Sequence, residues 1–240
     1  MTSVSAVIPA YNEEHAIGTT VEAMVAAFHG LIDDYEIVVV NDGSTDGTAE
    51  VVRSLAAAHA RVRTVAHQEN RGYGAALATG FAAATRDLIF LTDGDRQFDV
   101  RELREFLPLL EVADLAIGYR APRADPMIRR LYGWGWNVLV NTLFGYTARD
   151  VDCAFKLFPR RIIAELNVHS TGHTFSPELL IKARRAGYRV AERRVTHLPR
   201  VAGSPKGARP DAIIRAMFEL VKLRVEVAST RQTAVTAATE

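Results

Sequence analysis

Apolar and polar positions come in blocks through the first half of the chain, and each block reads as a strand followed by a helix. Apolar runs at about 3–8, 35–40, 62–66, 87–92 and 114–118 have strand length and are rich in Val and Ile. Between them lie stretches of helical spacing, from about Glu13 to His29, Thr45 to His59 and Val100 to Leu110, and one that opens on "NRGYGAALATG". "YEIVVV" has no alternation, as expected of a strand buried on both faces. This rhythm predicts an α/β fold with a parallel sheet covered by helices on both sides.

The second half is less regular. Short strands are expected at about 154–158 and 188–195, with a helix from Pro177 to Ala186 between them. A last helix, from about Asp211 to Ala228, repeats apolar residues at Ile213, Ile214, Met217, Leu220 and Val221, an amphipathic spacing. A basic loop rich in Gly and Pro precedes it at 200–210, and a frayed tail follows at 229–240. Residues 131–148, "LYGWGWNVLVNTLFGYTA", carry no charge but include three Gly, two Asn and two Thr, too many for a membrane span. A core helix and an interfacial helix offering Trp134, Trp136 and Tyr146 to a membrane boundary both fit this segment.

Charge sharpens the picture once the chain is divided. Residues 1–116 carry 8 Lys and Arg against 18 Asp and Glu, whereas residues 117–240 carry 21 against 10. The acidic half suits a cation, and the basic half suits phosphates or an anionic membrane surface. The one cysteine, Cys153, excludes an internal disulfide and is compatible with a reducing compartment. The opening "MTSVSAVIPAYNEE" lacks the basic start and long apolar run of a signal peptide, so a cytoplasmic location is expected.

In open α/β sheets ligands bind beyond the carboxyl ends of the strands, and the conspicuous polar residues of the first half fall there. Tyr11, Asn12 and Glu13 follow the first strand, Asn41 and Asp42 the second, and Arg71–Gly74 the third. Asp93 and Asp95 follow the fourth, and Gly118–Arg120 the fifth. Two carboxylates separated by Gly94, with the Gln97 amide two residues beyond, offer hard oxygen ligands suited to Mg2+ or Mn2+ with a diphosphate. Other motifs fail. "DGSTDG" begins like a calcium loop, but Arg53 occupies the twelfth position, where glutamate is needed. "GYGAALATG" misplaces the third glycine of a dinucleotide fingerprint, and "HSTGH" has no Glu after its first His to make a zinc motif.

Together, "VIPAYNEE", "EIVVVNDGSTDGT", "NRGYGAALATGF", "LTDGDRQF" and "AIGYR" resemble family 2 glycosyltransferases of GT-A fold. "RDVDCAFKLFPR", "FSPELLIKARRAGY" and "RVAGSPKG" look like the dolichyl- or polyprenyl-phosphate branch, the dolichol-phosphate mannosyltransferase-like proteins. The likeness runs over about residues 3–225. It implies a Rossmann-like, three-layer α/β/α domain over 1–228 with a mostly parallel central sheet and a C-terminal amphipathic helix. Residues 1–118 would bind nucleotide-sugar and 119–228 the acceptor, leaving 229–240 as a flexible tail. By this resemblance Pro9, Tyr11, Glu13, Val40 and Asp42 surround the base and ribose, with Asp93 and Gly94 also on the donor. Asp93, Asp95 and Gln97 hold Mn2+ or Mg2+. Arg120 and Arg129 face acceptor phosphate, and Asp95, Arg120, Arg200 and Lys206 carry the transfer. Gly133 stands where relatives often have a hydroxyl residue, and Ser204 and Lys206 are spaced one residue wider than the usual adjacent pair.

The expected reaction is inverting transfer of one sugar, GDP- or UDP-linked, to polyprenyl phosphate by a peripheral protein at the cytoplasmic membrane face. Nucleic acid is not an expected partner, whereas a membrane protein or a second copy of the chain is compatible. An ionised phosphate acceptor needs no strong base, but a hydroxyl acceptor does, and Glu178 or Asp150 would then serve. Two alternatives therefore stand: a GT-A enzyme acting on a soluble or protein hydroxyl, and a nucleotide-binding or nucleotidyl-transferring protein. The latter would want a lysine near the first glycine-rich loop to meet a triphosphate, where this chain offers Arg71. The Q-x-x-R-W signature of processive synthases is absent from the sequence.

Overall fold

The structure is a computed structural model and describes residues 2–200 and 215–227. Seven strands form one sheet: β1 (Ser3–Ala10), β2 (Asp34–Asp42), β3 (Val62–His67), β4 (Leu88–Leu91), β5 (Leu115–Arg120), β6 (Lys156–Pro159) and β7 (Val190–Val195). Their spatial order is β3-β2-β1-β4-β6-β5-β7. Pairing is parallel except that β6 runs against both β4 and β5. The mostly parallel sheet expected from the sequence is what forms, with β6 as its antiparallel member. β6 has four residues, too few for its pattern to declare a direction.

Helices complete the layers: α1 (Ile17–Phe28), α2 (Thr48–Ala58), α3 (Tyr73–Ala83), α4 (Met127–Phe144), α5 (Arg161–Leu166) and α6 (Phe175–Arg185). Residues 215–227 are helical as well. The expected helix from Val100 to Leu110 is instead two 3-10 segments, Val100–Glu105 and Leu107–Glu111, with Pro108 at the start of the second. Proline supplies no N–H donor, which favours a break between the two turns. The six-residue α5 lies below the length at which a periodic pattern is visible.

Successive strand residues point to opposite faces, and both faces are dry. Val4, Ala6, Ile8, Ile37, Val39 and Phe90 join the core beneath α1 and α2, while Val7, Ile89, Leu91 and Ile117 join the one beneath α3, α4 and α6. Strand order reverses between β1 and β4, so the crevice of a doubly wound sheet opens beyond their carboxyl ends. Because β6 is antiparallel, its beginning lies at that same edge, with Lys156 level with Leu91 of β4 and Ile117 of β5. That geometry delivers the turn at 150–153 to the crevice.

At the opposite edge a buried carboxylate clamps three elements. Glu36 accepts from Ser5 Oγ at 2.7 Å, from Thr85 N at 2.6 Å and from Arg63 at 2.7 Å. Burial pushes its pKa up, but these donors outweigh it and hold the carboxyl at about 2. A carboxyl held below its unfolded value stabilises the fold above about pH 4.5, and that stabilisation fades as pH falls towards 2. Glu36→Gln is expected to lose about 2 kcal/mol of unfolding free energy at pH 7. In urea titrations the gap between variant and parent should narrow from pH 4.5 downward; an unchanged gap at pH 3 contradicts this role.

Candidate active site

The segment after β4 turns sharply over the crevice. Gly94 is needed there because a Cβ would lie 3.0 Å from Ile17 Cδ1 and 3.3 Å from the Pro9 carbonyl oxygen. Its own carbonyl accepts from Thr20 Oγ1 at 3.1 Å, which ties the turn to α1. Asp93 is half-buried and accepts one hydrogen bond, from the Tyr73 hydroxyl at 3.0 Å. Burial, and then the neighbouring Asp95 charge, push its pKa up to about 7. Asp95 is buried, with Oδ1 accepting from Gln97 N at 3.1 Å and Oδ2 from Arg200 Nη2 at 2.6 Å. The same guanidinium reaches Glu13 at 3.2 Å, so the segments after β1, β4 and β7 converge on one cation. Arg200 Nε is buried and has no hydrogen-bond partner among the described residues. Gln97 commits its side-chain nitrogen to the Leu198 carbonyl at 3.1 Å.

These groups fit a divalent cation. Two carboxylates held close enough to repel each other are hard donors seeking positive charge, and Arg200 already supplies some. Among the described residues no group of three or more His, Cys, Asp and Glu is gathered for a metal. Mg2+ and Mn2+ suit such a sparse set, since Mg2+ is commonly bound by one or two carboxylates plus substrate phosphates and water.

Behind the crevice a second charge pair is built. Arg120, at the end of β5, donates from Nε and Nη2 to the two Asp150 oxygens at 2.7 Å each, and its backbone N–H donates to Asp150 at 3.2 Å. Burial pulls the Arg120 pKa down, but Asp150 outweighs it and keeps the guanidinium firmly charged. Burial likewise raises Asp150, and Arg120 more than reverses the effect. Asp150 is therefore an anion committed to Arg120, which favours a structural role over that of a base. Lys156, fully buried, ties down the same turn. Its Nζ donates to the carbonyls of Val151 at 3.3 Å and Cys153, and to Ser176 Oγ at 3.3 Å. Burial lowers its pKa. A lysine inside "CAFKLF" was a usable signal, since an amine in an apolar strand must find several acceptors.

Three other predicted residues have different surroundings from those expected. Asp42 accepts from His67 Nδ1 at 2.6 Å, Asn70 Nδ2 at 3.0 Å, Arg71 N at 2.9 Å and Gly72 N at 2.9 Å. Its carboxylate shapes the loop before α3. Val40, fully buried, packs into the core with Val38 and Ala76, so its side chain cannot line a ribose site. Glu178 accepts from the backbone N–H of His169 at 3.0 Å and Ser170 at 2.8 Å, and pairs with Lys182 at 2.7 Å. Burial raises its pKa but these partners hold it low, the opposite of what a base needs.

Tyr11 and Glu13 are half-buried beside the crevice, and Pro9 is buried in β1. Arg129 is part of a neighbouring cluster, paired with Asp125 at 2.8 Å, as is Arg123 at 3.0 Å. The Arg123 guanidinium lies where a Cβ at Gly133 would fall, 2.5 Å away, so the missing hydroxyl residue makes room for an arginine. Ser204 and Lys206 lie outside the described residues.

Residues 5–166 match the Glycosyl transferase family 2 profile. The chain belongs to that family. Three relatives in this family are named for polyprenyl-phosphate chemistry. The dodecaprenyl-phosphate galacturonate synthase of Rhizobium johnstonii is 31% identical over 85% of this chain and 61% of its own length. A dolichyl-phosphate beta-glucosyltransferase of Trichomonas vaginalis is 32% identical over 78% and 61%, respectively. An undecaprenyl-phosphate 4-deoxy-4-formamido-L-arabinose transferase of Serratia proteamaculans is 32% identical over 91% and 66%. The chain thus spans less than two thirds of each of these family 2 proteins. Among solved structures, glucosyl-3-phosphoglycerate synthase from Mycobacterium tuberculosis with phosphoglyceric acid superposes with a TM-score of 0.72. That match has 20% identity and covers 92% of this chain and 80% of the other. The same protein with Mn2+, UDP-glucose and phosphoglyceric acid gives 0.69, at 20% identity over 93% and 80%. The fold is GT-A.

The Arg120–Asp150 pair gives a direct test of how this family 2 site is held. Asp150→Ala leaves a buried guanidinium without its counter-ion and is expected to cost about 3–5 kcal/mol in urea unfolding. Replacing both partners, Arg120→Met with Asp150→Ala, should recover part of that loss. Additive losses contradict the pairing.

Proposed function

We propose that this protein transfers one sugar from a nucleotide-sugar, GDP- or UDP-linked, to a polyprenyl phosphate at a membrane surface. One observation carries the choice of acceptor. The two carboxylates named above as candidate bases are both occupied by protein donors and held ionised, Asp150 by Arg120 and Glu178 by two N–H groups and Lys182. A phosphate oxygen arrives already ionised and needs neither. The names of the three relatives support the same acceptor class.

The donor diphosphate is placed in the crevice beyond β1 and β4. Mn2+ or Mg2+ held by Asp93 and Asp95, with Gln97 near, would supply positive charge where the leaving diphosphate gains negative charge. Arg120 stands as a permanent cation fixed in direction by Asp150, ready to meet phosphate oxygens. Arg200 binds Glu13 and Asp95, and its buried Nε, without a hydrogen-bond partner among the described residues, suits a phosphate oxygen of the substrate. Lys206 is assigned to the same loop on the strength of the sequence motif alone.

The surface beside the crevice suits a bilayer. On α4, Met127, Ile128, Leu131, Tyr132, Trp134 and Val138 are exposed on one stripe, while Val140 faces the core. The helix at 215–227 exposes Met217, Phe218, Val221 and Val225 and buries Leu220 and Leu223. Among the described residues no helix is long and apolar enough to cross a membrane. Exposed apolar stripes flanked by Arg129 and Arg130 are the pattern of a helix lying in the headgroup layer.

Two measurements test this reading. A panel of nucleotide-sugars with polyprenyl phosphate and Mn2+ should yield one glycosylated lipid phosphate, and Asp95→Ala should lower its formation by about a thousandfold or more with folding intact. Full activity in EDTA rejects the metal role, and transfer to a soluble hydroxyl in place of the lipid rejects the acceptor. In sedimentation with anionic vesicles, the parent should pellet at low salt and Leu131→Glu with Trp134→Glu should remain in solution. A parent that stays wholly in the supernatant contradicts membrane docking.

A further inference from the structure

Tyr73 carries a hydroxyl for which the proposed transfer has no use, yet it sits against Asp93, a ligand in the proposed metal site. It occupies the first turn of α3, directly after Gly72, and donates to Asp93 Oδ1 at 3.0 Å. Its ring stacks on His173, centroids 5.8 Å apart and planes 20° from parallel.

The surrounding backbone leaves the ring little freedom. Gly72 has φ of 101°, a conformation L side chains rarely adopt, and a Cβ there would lie 2.7 Å from the Thr171 carbonyl oxygen. A Cβ on Gly74 would lie 2.3 Å from the Ser170 carbonyl oxygen. The two glycines beside Tyr73 therefore let the 170–172 backbone lie on the first turn of α3, where the Thr171 carbonyl accepts from Ala75 N at 3.1 Å. That segment is anchored by Glu178 through the N–H groups of His169 and Ser170. From the other side, Thr174 Oγ1 donates to Glu219 of the helix at 215–227. A chain of contacts runs from α6 through 169–173 to the Tyr73 ring and ends on Asp93.

We infer that Tyr73 is a positioning residue for the cation site, its hydroxyl holding Asp93 by one oxygen so that the other faces the cation. This rests on the metal reading above. Asp95 is oriented by Gln97 N and Arg200, whereas the one hydrogen bond shown for Asp93 comes from Tyr73. A ligand that must be ordered at the moment of binding loses affinity, and groups that orient metal ligands restore it.

The test measures Mn2+ binding directly, from the loss of the free-ion EPR signal in the presence of UDP or GDP. Tyr73→Phe removes only the hydroxyl. It should unfold in EDTA as the parent does, while binding Mn2+ about tenfold more weakly. In the transfer assay the Mn2+ concentration for half-maximal rate should rise by a similar factor with kcat retained at saturating Mn2+, a split that a purely structural defect would not produce. Should Tyr73→Phe fail to fold, His173→Leu keeps the hydroxyl but removes the stacked ring, and a weakened Mn2+ affinity is again expected. Equal Mn2+ affinity in the parent and in whichever of these variants folds overturns the role of Tyr73 and leaves the metal reading standing. A parent that binds no Mn2+ with either nucleotide removes the metal reading and this inference together.

Discussion

Asp42, Asp93, Asp95 and Asp150 gather at one edge of the sheet, where carboxylates drawn out of water are tolerated only if donors or positive charge meet them. How each is met decides what the edge can do. Asp42 has four donors and Asp150 has a two-pronged guanidinium, so both are finished structural parts. Asp95 shares Arg200 with Glu13, a contact that a better cation could replace. Asp93 accepts from one neutral hydroxyl, and burial, then the like charge of Asp95, raise its pKa to about 7 despite that hydrogen bond. The least satisfied carboxylate marks where charge is wanted. The same accounting explains Lys156, whose ammonium fixes the Asp150 turn from below without neutralising Asp93 by contact.

The layered fold was legible because the strands are apolar on both faces and the intervening helices are long. β1, β2 and β3 fall where the block pattern places them, and β2 extends to Asp42, two residues past the apolar run. The direction of β6 was not legible, because direction is set by partners distant in sequence and four residues carry no periodic signal. Nor did the segment at 100–111 reveal its break, although Pro108 offered a cue. The cluster of polar strand ends was legible as a place. Which members face a ligand was not.

Glu178 illustrates why. A carboxylate near the expected acceptor side has the same letter whether it takes a proton from a hydroxyl or caps two backbone N–H groups, and only the fold brings His169 and Ser170 onto it. Val40 is the apolar counterpart: its position in β2 was correct, but the period-2 face places its side chain under α3 rather than in the crevice. Tyr73 was hidden for the converse reason. In "NRGYGAALATG" the glycines draw attention as a loop for phosphate, yet Gly74 serves close packing against Ser170, and the residue between the glycines reaches Asp93.

The division of charge along the chain also acquires a physical meaning. Residues from the basic half return to pair with the acidic half along β7 and beyond: Arg189 with Asp114, Arg193 with Glu105, and Arg200 with Glu13 and Asp95. Most of these pairs are exposed and contribute little to stability one by one. Arg200 differs, being mostly buried and bound to groups that a cation or a diphosphate would contest. The pairing therefore ties the segment after the last strand to the segments after β1 and β4. On α4 the balance is different, since Arg130 lies exposed beside an uncharged apolar stripe. An exposed arginine beside such a stripe is the arrangement that the proposed membrane docking needs.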